Sequence, residues 1–200
     1  VKRTCPDFDL LDVVPASIDL SGAELEVADM ENRNVLLKTA VDEFLETSEE
    51  HYDYVIIDCP PSLGLLVINA MCAVHEMLIP IQAEYYALEG LGQLINTIGL
   101  VQEHFNPSLL VSTMLITMFD KRTLLSREVH DEVKNHYPTI VLNTTIPRTV
   151  KISEAPSFNQ SVIAYDPKGM GAIAYCEAAL EIARRSQTVL KAIDARRNEN

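Results

Sequence analysis

Two hundred residues, 48% of them hydrophobic and 22% charged, suffice for one globular domain with a sizeable core. The net charge of −13 is uneven: residues 1–119 hold 4 Lys+Arg against 19 Asp+Glu, and residues 120–200 hold 12 against 10. That excludes general polyanion binding by the first half and confines any such contact to the second. The pattern also argues against a membrane span, since the longest apolar run, residues 63–74, is short and contains Asn69. Residues 1–7 do not read as a leader. Cys5, Cys59, Cys72 and Cys176 form no C-x-x-C pair, so they read as reduced thiols of a cytoplasmic protein.

Residues 10–15 read as a strand centred on Val13 and Val14. Ser21-Gly22-Ala23-Glu24 fits a capping box that opens a helix over 22–31. A second helix is predicted over 33–48, with Val35, Leu36, Ala40 and Leu45 inward. Val55-Ile56-Ile57 then reads as a short strand buried on both faces, the pattern of a parallel sheet. It stops at Asp58 because Pro60 and Pro61 cannot donate to a ladder. Ligands of open α/β sheets sit just beyond such strand ends. An acid there is where a Walker-B aspartate holds hydrated magnesium on a nucleoside triphosphate; the alternative is an Asp that merely starts a turn.

A helix over 63–74 and a strand over 76–81 follow, with Pro80 marking the strand's end. Next come a helix over 87–104, an apolar strand over 109–118, and a helix over 123–137 with Leu125, Val129 and Val133 on one stripe. A strand over 139–146, then a loop and a short helix over 148–157, lead to a helix over 171–196. Its predicted stripe is Tyr175, Ala179, Ile182, Val189 and Ile193. Strands alternating with helices predict an α/β fold, a mostly parallel sheet with helices on both faces, Rossmann-like. The expectation is one domain over 1–193 with a frayed tail over 194–200.

Four stretches stand at predicted strand or loop ends: Asp58-Cys59-Pro60-Pro61-Ser62, Glu84-Tyr85-Tyr86-Ala87-Leu88-Glu89-Gly90, Thr117-Met118-Phe119-Asp120, and Ile146-Pro147-Arg148 with Ser153-Glu154-Ala155-Pro156-Ser157. In this order and spacing they resemble the ParA/Soj family of chromosome- and plasmid-partitioning ATPases, P-loop NTPases with a deviant Walker A motif, related to MinD. The resemblance runs from about Phe8 to Arg185. It implies that Asp58 is the catalytic Walker-B carboxylate near Mg²⁺. It implies that Cys59, Pro60, Pro61 and Ser62, with the chain up to Gly64, form the switch II region that senses the γ-phosphate. Met118, Pro147 and Arg148 lie where the family lines the adenine pocket. Arg148, Lys151 and Lys168 lie where it places DNA-contacting basic residues. The implied cofactors are ATP and Mg²⁺. The implied partners are a second copy of the chain across bound ATP, non-specific DNA, and a ParB-type protein that triggers hydrolysis. The implied location is cytoplasmic, on the nucleoid, without membrane attachment.

Two departures from the family pattern stand out. None of the seven glycines lies in G-x-x-x-x-G-K-[ST], the loop whose N–H groups cradle phosphates. The family carries its K-G-G-V-G-K-T loop and a D-x-D-P-Q segment upstream of the matched region, and this chain opens on Val1. The expectation is therefore a fold incomplete at its amino terminus, a chain inactive toward ATP on its own, and a gap or bare sheet edge beside residues 54–58. The second departure is at the turn where the family commonly reads D-P-R-S-R-G. Here the residues are Asp166-Pro167-Lys168-Gly169-Met170-Gly171, so Lys168 keeps one basic position and Met170 replaces the other. A MinD-like membrane-cycling ATPase is one alternative, yet residues 184–200 contain no Phe or Trp to anchor an amphipathic helix. An iron–sulfur carrier of the same superfamily would need paired cysteines. A non-enzymatic interaction fragment is the remaining alternative.

Overall fold

The computed structural model describes the backbone of residues 3–4 and 10–198 and the side chains of residues 10–20 and 22–185. The chain divides between Ala73 and Val74 into two compact units.

In the first unit, β1 (Arg3–Thr4) pairs antiparallel with β2 (Asp12–Val13). The strand expected over 10–15 shrinks to two residues, for Pro15 has no N–H to donate and Leu10 is fully exposed. Helix α1 (Leu20–Glu26) starts ahead of the predicted capping box, with Asp19 at the N-cap position. The Glu24 carboxylate does not reach back to its own helix start. It accepts instead from the Leu66 amide of α3 at 3.0 Å. Helix α2 (Leu36–Thr47) has no buried residue. Val35 and Leu36 are half-buried, whereas Ala40 and Leu45, expected inward, are exposed. Helix α3 (Leu65–Ala73) is apolar all round and buries Val67, Ala70, Met71 and Cys72, as a helix covered on most sides must. Its one polar core residue, Asn69, is fully engaged. Asn69 accepts from the Leu37 amide at 3.1 Å and donates to the carbonyls of Arg33 and Leu65 at 2.6 and 3.0 Å, which joins α3 to the start of α2.

The second unit is a β-α-β core. Strand β3 (Glu76–Gln82) runs into α4 (Tyr86–His104) and then β4 (Leu110–Thr117), which pairs parallel with β3 from Glu76↔Leu110 to Gln82↔Thr117, with an irregularity between Met77 and Leu78. Pro80 lies inside this ladder, opposite Leu115. Among the described residues β3 has a ladder partner on one side only, so a residue without an N–H is tolerated there. Helix α5 (Leu124–His136) follows within a residue of its predicted bounds, capped by the Thr123 hydroxyl, which accepts from the Ser126 amide. Val129 and Val133 are buried as predicted, but Leu125 lies largely exposed.

The strand expected over 139–146 is not a continuous strand. Met114 donates to Ile140, Leu142 donates to Met114, and Ile146 donates to Ile116, all at 2.8–2.9 Å. Four residues on one side thus stand opposite two on β4. The cause is competition by side chains. The amides of Asn143 and Thr144 donate to the Glu181 carboxylate at 2.8 and 3.0 Å. The Val141 carbonyl accepts from Lys134 and Arg185 at 3.0 and 3.3 Å. Those groups are withdrawn from the ladder. Short helices α6 (Val150–Glu154) and α7 (Val162–Tyr165), separated by a 3₁₀ turn at Ala155–Phe158, lead to α8 (Met170–Asn198).

Helix α8 presents Ala174 and Ala178, with Ile182 half-buried, to Leu115, Leu142, Ile146 and Ile152. The inward stripe is therefore offset from the predicted one. Tyr175 and Ala179 are exposed, and Val189 and Ile193 lie outside the residues with described side chains. Two alanines allow the helix to approach the sheet closely, and at Gly171 an added Cβ would lie 2.8 Å from Ile152. The helix continues to Asn198, so only residues 199–200 of the expected tail fall outside the described backbone.

The largest departure from expectation is at residues 54–58. They form no strand, and Tyr54, Val55 and Ile56 are exposed rather than buried. An apolar β-forming run becomes a strand only with a ladder neighbour, and none of the described residues pairs with it. The bare edge expected beside residues 54–58 therefore has no strand to belong to; among the described residues, β3 has a ladder partner on one side. Unpaired edges and exposed aliphatic runs promote self-association. Replacing Ile56, 89% exposed, with Lys is expected to lower light scattering at high protein concentration while changing stability by no more than about 0.5 kcal/mol. A clear loss of stability would show that Ile56 is covered in solution.

Candidate functional site

In the first unit Asp58 is exposed at the end of the irregular 54–58 segment. Its neighbour Cys59 is a free thiol whose sulfur contacts the Ile57 carbonyl at 3.8 Å. Partial burial of the sulfur pushes that thiol up, and the adjacent Asp58 charge pushes it further, so Cys59 is a weak nucleophile. Pro60, Pro61 and Ser62 are exposed and lead to Gly64. A Cβ at Gly64 would sit 2.5 Å from Glu24 Oε1. The bare glycine leaves room for that carboxylate at the first turn of α3, where helix amides lack partners. Among the described residues no cluster of three or more acids, His or Cys could hold a metal by itself. A single carboxylate at this end suits Mg²⁺, which usually takes one or two carboxylates plus phosphate oxygens and waters.

In the second unit the ends of β3 and β4 converge. Ala83 donates to Thr117 at 2.9 Å, and the Ser126 hydroxyl donates to the Ala83 carbonyl at 3.2 Å. Met118, the residue after β4, adopts φ 54°. That left-handed conformation is uncommon for a side chain of this size and is held where the surroundings over-determine it. The surroundings here are two backbone bonds. Phe119 donates to Ile146, and Arg148 donates to Phe119, both at 3.0 Å, with a parallel bridge between Phe119 and Pro147. Met118 is thereby brought to one end of the sheet with Pro147 and Arg148, which lie far from it in sequence.

Charges crowd the same end. The Arg148 guanidinium lies 3.3 Å from Glu84, the residue two past β3. Asp120 takes a two-pronged contact from Arg122 at 2.9 and 2.7 Å and a bond from the Arg122 amide at 3.0 Å. The Arg122 hydrogen bonds, with smaller help from the charge of Arg148, hold Asp120 down to about 2. Just beyond, Lys151 pairs with Glu154 at 3.0 Å and lies 5.2 Å over the Tyr165 ring, which stacks on Phe158 at 5.0 Å. The bond and charge of Glu154 raise Lys151, and Glu154 is lowered in return. Lys168 is exposed in the turn from Asp166 to Gly169, closed by the Gly169 amide on the Asp166 carbonyl at 2.9 Å, with Pro167 at the second position that such turns favour.

Sequence reasoning named the stretches containing Glu84 and Asp120 but gave those acids no role. It also missed the Glu181–Arg185 pair, although an acid four residues before an arginine on a helix is a visible signal. The triphosphate cradle of a P-loop is absent from these 200 residues. The residues present leave the Asp58 carboxylate exposed in one unit and bring Met118, Pro147 and Arg148 to one end of the strands in the other.

A family model described as an AAA domain matches residues 2–111. The chain is 51% identical over 173 residues to the sporulation initiation inhibitor protein Soj of Bacillus subtilis, covering 86% of this chain and 67% of that one. It is 46% identical over 175 residues to the chromosome partitioning protein ParA of Myxococcus xanthus, covering 88% and 60%. Among solved structures, a Mycobacterium smegmatis protein described as cobyrinic acid a,c-diamide synthase, with bound ADP and magnesium, superposes with TM-score 0.72 at 37% identity, covering 88% of this chain and 63% of that one. The chain thus spans roughly two thirds of the length of these relatives. By the domain match and the level of identity, the chain belongs to the ParA/Soj family of chromosome-partitioning ATPases.

Proposed function

We propose that this chain supplies the Walker-B carboxylate, switch II, base-lining and DNA-facing parts of a partitioning ATPase, its two units acting within one ATPase domain. The observation that carries the reading is the convergence of Met118, Pro147 and Arg148 at the carboxyl ends of parallel strands, where ligands of α/β folds sit. Membership of the ParA/Soj family supports it. In this reading Met118 and Pro147 flank the adenine. Asp58 ligates Mg²⁺ bound to the triphosphate, and the metal supplies charge neutralisation when present. Residues 59–64 follow the γ-phosphate, with Gly64 and Glu24 fixing where α3 begins. Arg148, Lys151 and Lys168 face DNA phosphates without reading sequence. A second copy of the chain and a ParB-type activator complete the cycle, on the nucleoid in the cytoplasm. Among the described residues no helix is long and apolar enough to cross a membrane.

The test is a pair of Mg-ATP titrations by calorimetry. The 200-residue chain should show no micromolar affinity, because nothing in it cradles a triphosphate. The same chain preceded by the family's glycine-rich loop segment should bind. Micromolar binding by the chain alone, or none by the extended protein, would overturn the reading.

A further inference from the structure

Two of the three basic residues proposed to face DNA are already occupied. Arg148 is 3.3 Å from Glu84, and Lys151 is 3.0 Å from Glu154. Glu154 also accepts from the Tyr165 hydroxyl at 3.3 Å, and Lys151 lies over that ring. The two pairs arise differently. Glu84 comes from the end of β3, 64 residues away in sequence. Glu154 sits one turn along α6 from Lys151. All four side chains remain about half exposed, at 50% and 58% for Glu84 and Arg148 and 41% and 53% for Glu154 and Lys151. A phosphate could therefore reach either cation, but only by competing with a carboxylate already in place.

We propose that Glu84 and Glu154 are built-in competitors for DNA phosphate, keeping Arg148 and Lys151 masked until a polyanion displaces them. The inference rests on the proposed DNA-facing role of those two cations and adds the acids that oppose it. Its physical signature is specific. Displacing a carboxylate costs binding energy, yet once the phosphate is seated the DNA has lost the same counterions, about 0.9 per phosphate neutralised. Removing both acids should therefore tighten binding across the salt range and leave the salt slope unchanged. A generally less negative protein would gain only through long-range attraction, which fades as salt screens it.

The test uses the purified chain and a fluorescein-labelled DNA duplex of arbitrary sequence, with anisotropy read across about 50–200 mM salt. The double variant Glu84→Gln/Glu154→Gln is compared with Glu128→Gln/Glu177→Gln, which removes the same charge from exposed positions on α5 and α8. The masked pair is expected to bind roughly tenfold tighter at low salt, in keeping with the modest strength of exposed ion pairs. The slope of log K against log salt should stay that of the wild type, so that the gain persists toward about 200 mM salt. The control should gain little, and that gain should fade over the same range. Equal gains in both variants, or no gain in either, would overturn the masking. A third protein, Arg148→Ala/Lys151→Ala, separates this failure from failure of the DNA reading. If it binds as well as the wild type, the cations themselves do not face DNA, and both inferences fall. If it loses binding while the Gln variants gain nothing, only the masking falls.

Discussion

Reversing Arg148, Lys151 and Lys168 together to Glu is expected to abolish retention of non-specific duplex DNA. Each phosphate left without its cation should lower the salt slope by about 0.9, so three should lower it by about 2.7, and the added negative charges should repel the backbone further. Together these imply an affinity loss of at least about a hundredfold near physiological salt. The reason is distribution as much as number: residues 120–200 are the part of the chain without an acidic excess. Filter retention or anisotropy at low and moderate salt would measure it. Unchanged retention would move the surface to the arginines at 184, 185, 196 and 197. Arg185 is a poor substitute, because it is spent on the Thr139, Ile140 and Val141 carbonyls and on Glu181.

Glu181→Ala is expected to cost the fold about 3 kcal/mol. The carboxylate accepts from the amides of Asn143 and Thr144, from the Asn143 side chain and the Thr144 hydroxyl, and it holds Arg185 at 2.6 Å. Its removal leaves the half-buried Thr144 amide and a half-buried guanidinium without that acceptor, while the exposed Asn143 amide can turn to water; a buried unmet group costs about 1–3 kcal/mol. For a chain of this length the melting temperature should fall by roughly 6–12 °C. Burial alone would raise the Glu181 carboxyl, but the Asn143 and Thr144 hydrogen bonds and the Arg185 charge outweigh it, so the group sits below its ordinary value of 4.5. A carboxyl depressed in the folded state binds protons more readily when unfolded. Its contribution is thus complete above the ordinary value and fades as the pH falls through the lowered one. The wild-type advantage over Glu181→Gln should accordingly be full at neutral pH and vanish in acid. A pH-independent difference would mean that the charge contributes nothing and that Glu181 acts only through its shape.

The elements that sequence reading placed well are those whose cause is local. Helix α5 has an N-cap threonine and an apolar spacing of four. Helix α4 was expected over 87–104 and spans Tyr86–His104. β4 is a long apolar run. The misplaced elements depend on distant partners. Residues 54–58 have strand propensity and no ladder neighbour. Residues 139–146 have the right residues, but Glu181, Lys134 and Arg185 take their backbone groups. Glu24 matches a local capping box yet is drawn to Leu66, 42 residues away, because Gly64 leaves room.

The candidate site divides in the same way. Met118 was legible as the residue that follows an apolar strand, whereas Asp58 follows no strand and Arg148 follows an isolated bridge. The left-handed backbone at Met118, the Phe119–Pro147 bridge and the Glu84–Arg148 pair are products of folding, and no local spacing announces them.

The measurement that bears most directly on the partitioning ATPase reading is phosphate release from Mg-ATP by a protein in which these residues follow the family's phosphate-binding loop. It should be assayed with DNA and a ParB-type partner, with and without Asp58→Ala. The reading predicts turnover that rises with the partner and is lost in Asp58→Ala while the melting temperature is unchanged. Undiminished turnover in Asp58→Ala would contradict it.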